Sequence, residues 1–359
     1  MEDKKKLREV EERQRVAAKN RRIKAKSQTE WYNLRPILGY SRCYFYILIG
    51  SRERGKSYSV MDFCLNQWKK KGKPFYWMKL SEASTRKMLS NNAAKFVDAD
   101  LYRKYGLKLS VKGTDVYDNG ERMATMLALS TAYNDKGVAL YDSEDLRGKN
   151  IVIDEFQLEK DQKRTFDVCY NLVVQLENLC RSSKNNIKIF MIGNTTEEAS
   201  DILSMFNFLP EKFGIFKLKK RKCVIHYMDN SQAYIERRKD AVANILAGNQ
   251  SNFTNKIDID TTHIYKGRLM KPQYIVKFSK DEADWFTCWE GNVLAKYNGE
   301  FKGAKDVNKS FAMRRYIDDR FNPEFVSAMF EMYDTRAFKF RNLITQKQFG
   351  YQLSLIKRK

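Results

Sequence analysis

The sequence predicts an α/β protein: a mostly parallel sheet over residues 29–213, followed by a smaller α+β domain. Three observations predict it. An apolar, aromatic and β-branched run over 44–49 leads into Gly50-Ser51-Arg52-Glu53-Arg54-Gly55-Lys56-Ser57, and a one-sided apolar helical pattern follows at once. Beyond it, strand-like and helix-like stretches alternate, as they do when parallel strands are joined by helical crossovers. A second apolar run, 150–153, ends in the adjacent acids Asp154 and Glu155.

Composition narrows the class. The chain has 359 residues, enough for two domains, and its hydrophobic fraction of 43% can fill a core. Lys and Arg total 67 against 44 Asp and Glu, a formal charge of +23, which points to a polyanionic partner. No apolar run is long enough to span a bilayer, and the charged N-terminus does not read as a signal peptide. The six cysteines are dispersed and mostly apolar in context, so reduced core thiols are expected. With only His226 and His263 and no C-x-x-C, the sequence offers no zinc site.

Residues 1–28 interleave Lys and Arg with Glu and lack Pro and Gly, which reads as a charged N-terminal arm with helical character. Contact with nucleic acid, contact with a neighbouring subunit, and simple solvation all fit it. After the first helix, a Lys-Gly-Lys-Pro turn at 71–74 precedes a strand over 75–80. Residues 84–105 read as helical. Residues 107–129 read as β-structure with a tight turn at Asp118-Asn119-Gly120. A polar loop covers 134–149, an amphipathic helix 166–179, and a strand 188–195 that ends in polar residues. The character changes at Gly214, where a basic run over 216–222 opens a lid or linker region, 214–247. The polar break at 248–252 sets the boundary of the last domain, 248–359. That domain reads as short strands near 274–278, 285–289 and 292–297 and a helix over 323–336, with basic clusters at Lys302, Lys305, Lys309, Arg314 and Arg315.

The first motif fits G-x-x-x-x-G-K-[ST], the phosphate-binding loop, and lies where that chemistry needs it, between a strand and a helix N-terminus. Gly50 and Gly55 let the backbone N–H groups turn inward over Ser51, Arg52, Glu53 and Arg54, and the helix dipole favours anions. Lys56 is expected on the β- and γ-phosphates of ATP and Ser57 on Mg²⁺. The second motif has the Walker B form, with Asp154 for the Mg²⁺ and Glu155 as general base on the attacking water. Strand 188–195 resembles in position the strand that additional-strand ATPases place between the two motif strands, and that resemblance implies Asn194 at its tip as the candidate sensor of the γ-phosphate; an ordinary strand-to-loop asparagine also fits. Arg181 follows the helix after the second motif. A trans-acting finger and an ordinary surface arginine both fit that position.

With both motifs placed, the chain resembles the DNA-packaging ATPases of phi29-like bacteriophages, ring motors of the additional-strand (HerA/FtsK-like) class related to large terminases. The resemblance is specific at 50–57, in the hairpin region 105–130, and at 151–156. Terminase-type loops have the form S-R-x-x-G-K-[ST], which Ser51 to Ser57 match, so the resemblance gives Arg52 the role of the loop arginine, contacting phosphate or repositioning Glu155. It gives Arg181 the place of the trans-acting finger. It implies a P-loop additional-strand ATPase domain with a small lid, and a C-terminal RNase H-like domain that has lost nuclease activity. Asp258, Asp260, Asp318 and Asp319 show no clear set of strand-end carboxylates with nuclease spacing, in keeping with that loss. It further implies a homopentameric ring acting on double-stranded DNA at the portal of an empty capsid, with a packaging RNA in some members. The expected location is the host cytoplasm at the procapsid's portal vertex, with the protein absent from the mature virion. Two rivals stand beside this reading: a terminase-like motor with an active nuclease, and a nucleotide-gated nucleic-acid binder without turnover.

Overall fold

The structure is a computed structural model, described here over residues 31–135, 148–157, 166–180, 187–194, 201–206, 208–210, 212–239, 241, 262–269, 271–297 and 309–357. The expected arm, 1–28, lies outside the described residues, as do most of the 134–149 loop and, in the expected lid or linker region, residues 240 and 242–247. The chain divides into two compact units, 1–196 with 210–257, and 197–209 with 258–359.

The first unit is built on a nine-stranded sheet. In chain order its strands are β1 (Phe45–Gly50), β2 (Phe75–Lys79), β3 (Leu109–Lys112), β4 (Asp115–Asp118), β5 (Glu121–Ala128), β6 (Asn150–Asp154), β7 (Lys188–Asn194), β8 (Gly214–Leu218) and β9 (Cys223–Tyr227). In space they run β3-β4-β5-β2-β6-β7-β1-β9-β8. The six central strands, β5 to β9 in that order, are parallel, and an antiparallel hairpin extends each edge. Strands buried on both faces lose the polar alternation of a half-exposed sheet. That is why β1 and β2 read as continuous apolar runs and are buried almost throughout. The strand expected between the two motif strands does lie there: β7 pairs with β1 on one side and β6 on the other.

Helix α1 (Lys56–Lys71) packs Val60, Cys64 and Leu65 on the sheet, whose facing core includes Tyr46, Leu48, Val152 and Phe190. Gly72 ends it in a left-handed conformation (φ 57°), and Lys69, Lys70 and Lys71 complement its carbonyl end. The single helical stretch expected over 84–105 is two helices, α2 (Glu82–Ala93) and α3 (Ala99–Tyr105), capped by Ser81 and Asp98. The turn expected at Asp118-Asn119-Gly120 joins β4 to β5. Asn119 and Gly120 both take positive φ (53° and 85°), as a primed hairpin turn requires. Helix α4 (Val168–Cys180) follows the second motif.

The lid expectation for 214–247 needs correction. Residues 214–227 supply β8 and β9, and β9 continues the parallel sheet against β1, Phe45 facing Cys223. The run 216–222 reads as surface because β8 is the sheet's edge, where lysines discourage further pairing. Behind it, Cys223, Val224 and Ile225 are buried. Helix α5 (Gln232–Arg238) completes this part.

The second unit holds a five-stranded sheet from β10 (Pro272–Lys277), β11 (Trp285–Trp289), β12 (Val293–Lys296), β13 (Ser310–Ala312) and β14 (Lys339–Phe340), ordered β13-β10-β11-β12-β14. An antiparallel meander forms its centre, and parallel strands form both edges. Helices α6 (Pro323–Asp334) and α7 (Leu343–Lys357) contribute Met329, Phe349 and Leu353 to its core. The Phe349 ring meets Phe278, Phe286 and Phe338 edge-on. All six cysteines are free thiols, four of them buried. Among the described residues no helix is long and apolar enough to cross a membrane.

Candidate functional site

Parallel strands place their carboxyl ends at one edge of the sheet, and ligands of open α/β sheets bind outside that edge. Here the edge gathers four strand ends, three of them polar. Gly50 of β1 pairs with Asn194 of β7. Asp154 of β6 pairs with Ile192 of β7. Met78 of β2 pairs with Ile153 of β6, which sets Lys79 beside Asp154. A cleft of about 290 Å³ opens there, lined by the loop from Arg52 to Ser57 and by Asp154, Glu155 and Asn194.

The loop has the shape its glycines were expected to allow. Gly55 caps α1 with φ 81°, and a Cβ there would stand 3.2 Å from the Trp31 ring. Lys56 is 6% exposed, and its ammonium donates to Gly50 O (2.8 Å), Ser51 O (2.6 Å) and Asn194 Oδ1 (3.3 Å). Burial pushes its pKa down to about 7. The Ser57 hydroxyl donates to Asp154 Oδ1 at 2.9 Å, so the two residues expected at the metal meet across 97 positions of sequence. Glu155 stands at the rim with its side chain 65% exposed. Its backbone is left-handed (φ 60°), uncommon outside glycine and frequent where a side chain must be aimed.

Lys79 has no counterpart among the expected site residues. Its ammonium donates to Asp154 Oδ2 (2.8 Å) and Glu155 Oε2 (3.0 Å). Burial lowers its pKa, but the carboxylates of Asp154 and Glu155 outweigh burial and hold it above the ordinary lysine range. The only signal in the sequence is a lysine at the tip of the apolar run 75–78, at the same end of its strand as Asp154.

A second set missed from sequence braces the loop from outside. Ser51 Oγ donates to Asn230 Oδ1 at 2.6 Å. The Arg54 guanidinium donates to Ser231 Oγ (2.9 Å) and Asp229 O (3.4 Å), with its face 5.3 Å from the Tyr234 ring. Tyr234 donates to Arg52 O and Arg237 to Glu53 O, both at 2.8 Å, and Arg238 pairs with the Glu53 carboxylate. The Arg54 and Glu53 side chains thus have structural partners in residues 229–238.

The oxygen donors of Ser57 and Asp154 suit a hard divalent cation, and the left-handed Gly55 with the open first turn of α1 suits a phosphate chain. The residues present therefore fit Mg²⁺ and a nucleoside triphosphate. Arg181 lies outside the described residues, as do Asp258 and Asp260. Asp318 accepts from Lys277 (2.9 Å) and the Arg320 N–H (3.1 Å), and Lys277 holds its carboxyl below the usual range. Among the described residues, no three His, Cys, Asp or Glu side chains gather as a metal site.

The chain is 23% identical over 300 residues to the DNA packaging protein of Bacillus phage phi29, covering 82% of this chain and 80% of that one. The DNA packaging protein of Bacillus phage PZA matches to the same extent. Among solved structures, the fold resembles the phi-28 gp11 DNA packaging motor (TM-score 0.64, 14% identity, 90% of this chain, 98% of that chain). It also resembles the bacteriophage phi-29 viral genome packaging motor assembly (TM-score 0.58, 16% identity, 91% of this chain, 99% of that chain). The family model of the podovirus DNA encapsidation protein (Gp16) matches residues 26–355. The chain belongs to that family.

Proposed function

We propose that this chain is the motor ATPase that drives double-stranded viral DNA into an empty capsid. One observation carries the catalytic part: Lys56 in its loop, Ser57 bonded to Asp154, and Glu155 on the rim of the same cleft. Gly50 to Ser57 bind the triphosphate, with Lys56 turning from the Gly50 and Ser51 carbonyls onto phosphate oxygens. Ser57 and Asp154 would hold Mg²⁺, whose charge would offset that of the β- and γ-phosphates. Glu155 takes a proton from the attacking water. Arg52 acts from the cleft wall as the loop arginine, Asn194 senses the γ-phosphate, and Arg181 reaches a neighbouring subunit's nucleotide. That last role requires a ring, a pentamer in our reading, seated on the portal in the host cytoplasm and absent from the mature virion, with a packaging RNA as a further partner. The second unit is a nuclease-like domain without cleavage activity.

The test is steady-state ATP hydrolysis, with and without double-stranded DNA and with procapsids, comparing wild type with Glu155→Gln. Loss of the general base is expected to lower turnover at least about a hundredfold while ATP still binds. ATP binding without hydrolysis in the wild type, even on procapsids, would overturn the motor reading.

A further inference from the structure

We propose that the turn joining β8 to β9, with the turn that precedes β1, is a docking surface for the phosphate backbones of double-stranded DNA. It lies at the end of the sheet away from the nucleotide cleft. This deepens the reading of the chain as a motor on double-stranded DNA and rests on it.

Parallel strands that bring their carboxyl ends to the cleft bring their amino ends to the opposite edge. Phe45 opens β1 there and pairs with Ile189 of β7 and Cys223 of β9. From Phe45 to Gly50 the strand spans roughly 17 Å at about 3.3 Å per residue. Exposed cations crowd this edge: Arg42 before β1, Lys217 on β8, and Lys219, Lys220, Arg221 and Lys222 between β8 and β9. Segments 39–50, 187–194 and 212–228 contain no Asp or Glu. Elsewhere in the unit, Lys69, Lys104 and Arg238 each meet a carboxylate. Among the described residues, none of the cations at this edge does.

Three lysines here are held in place without being neutralised. Lys222 Nζ stands 4.7 Å from the centre of the Tyr44 ring and Lys217 Nζ 5.5 Å from that of Tyr40. Half-buried Lys188 adds a further charge 5.1 Å from the centre of the Tyr46 ring. A cation over a ring keeps its full charge for an incoming anion. The Lys222 carbonyl accepts from the N–H groups of Tyr44 (2.7 Å) and Phe45 (3.2 Å), which fixes the hairpin end against the turn that carries Arg42.

An unpaired positive field of this kind attracts a polyanion. Three features point to duplex DNA. The side chains offered are cations, which contact phosphates whatever the sequence. The tyrosine rings are covered by lysines, so they give no platform for the unstacked bases of a single strand. The cations also crown a two-stranded hairpin, a shape that the major groove of B-form DNA admits and the deep, narrow groove of A-form RNA does not. Lysines on an edge strand discourage pairing with other strands. That role accounts for Lys217, but Lys219, Lys220 and Arg221 lie beyond the end of β8.

The test is fluorescence anisotropy of short DNA duplexes of two unrelated sequences, titrated with the full chain from about 50 to 200 mM NaCl. One variant combines Lys219→Gln, Lys220→Gln and Arg221→Gln. Lys222 is left in place because its φ of 47° serves the turn. A second variant combines Lys87→Gln, Lys95→Gln and Lys112→Gln. It removes the same charge from exposed positions in and after α2 and on β3, the other edge strand. Each phosphate contact steepens log affinity against log salt by about 0.9. The hairpin variant should therefore flatten the slope by about 2 to 3 for both sequences, and weaken low-salt binding about tenfold or more. The β3-side variant should flatten it by less than about 1. Basal ATP hydrolysis and thermal unfolding of the hairpin variant should match wild type, since none of its substitutions touches the cleft. Wild type that does not bind the duplexes, an unflattened slope in the hairpin variant, or equal flattening by both variants overturns the proposal. So does an RNA duplex of the same sequence that loses more of its slope than the DNA does. If the hairpin variant does not fold, Arg42→Gln combined with Lys217→Gln takes its place, with an expected flattening of about 2. Unchanged DNA binding by the hairpin variant, with wild-type hydrolysis, sinks this proposal alone, whereas a wild type that binds ATP without hydrolysing it sinks the motor reading.

Discussion

Replacing Gly193 with alanine adds one methyl group where the structure has no space for it. Gly193 lies in β7 next to Asn194, and a Cβ there would stand 2.7 Å from the Phe156 ring and 2.4 Å from the end of the Gln157 side chain. Gln157 is a flexible side chain and can rotate away. Phe156 is 1% exposed, and its N–H donates to Ile192 O at 3.2 Å, so the ring can move only with its backbone. Overpacking of this kind costs about 1–3 kcal/mol. For a unit of this size that lowers the melting temperature by roughly 2–12 °C, taking about 2–4 °C per kcal/mol. Glu155 precedes Phe156, so the shift reaches the general base. A displacement of about 1 Å costs roughly a hundredfold in rate. Nucleotide affinity should change little, because Lys56 and Ser57 stand on a different strand–helix junction. The assays are thermal unfolding, ATP turnover and nucleotide binding, with Gly39→Ala as the control. Gly39 has φ −66°, and an added methyl would meet nothing within 4 Å, so its alanine variant should be neutral or slightly more stable. Wild-type melting and turnover in Gly193→Ala would refute the claim that packing on β7 fixes the segment carrying Glu155.

Other outcomes follow from individual contacts. Burial sets the Lys56 ammonium near pKa 7, and a bound phosphate raises it again. Mg²⁺-nucleotide binding should therefore take up close to one proton at pH 8 and few at pH 6, read from calorimetry in buffers of different ionisation enthalpy. Uptake that does not depend on pH would contradict it. Asp118 is 3% exposed and accepts from Trp68 Nε1 (3.0 Å), Lys69 Nζ (2.6 Å) and the Lys108 N–H (3.0 Å). Burial raises its pKa, but the bonds from Lys69, Lys108 and Trp68 hold it below the usual carboxylate range. Its depressed folded pKa means a stabilisation present above about pH 4 and lost as pH falls through the folded value. Asp118→Asn should therefore cost about 1–3 kcal/mol at neutral pH, with the gap from wild type narrowing in acid, as measured by denaturant unfolding.

Much of the first unit is legible in the sequence because its signals are local. The phosphate loop, the acids ending β6 and the turn at Asn119 and Gly120 each show in a few neighbouring residues. The place of β7 follows from the resemblance, and it brings Asn194 within reach of Lys56. What stays hidden depends on register between strands far apart in sequence. Lys79 matters because β2 pairs with β6, and no spacing within 75–80 states that pairing. Residues 214–227 read as a separate region because the lysines of an edge strand look like the start of a surface segment, while Cys223 to Ile225 alone show that a buried strand follows. Arg54 and Glu53 match a motif whose middle positions are unconstrained, and their partners lie about 180 residues away.

That distance has a consequence for how the protein is made. The phosphate loop leaves the ribosome early, but Asn230, Ser231 and Tyr234, which brace it, are joined to the chain 177 to 182 residues later. At about 5–20 residues per second, the loop waits roughly 10–35 s for them. A fragment ending at residue 213 keeps the complete motif, yet it lacks β9 and all of these braces. The shortest fragment with a fully braced nucleotide site ends beyond Arg238.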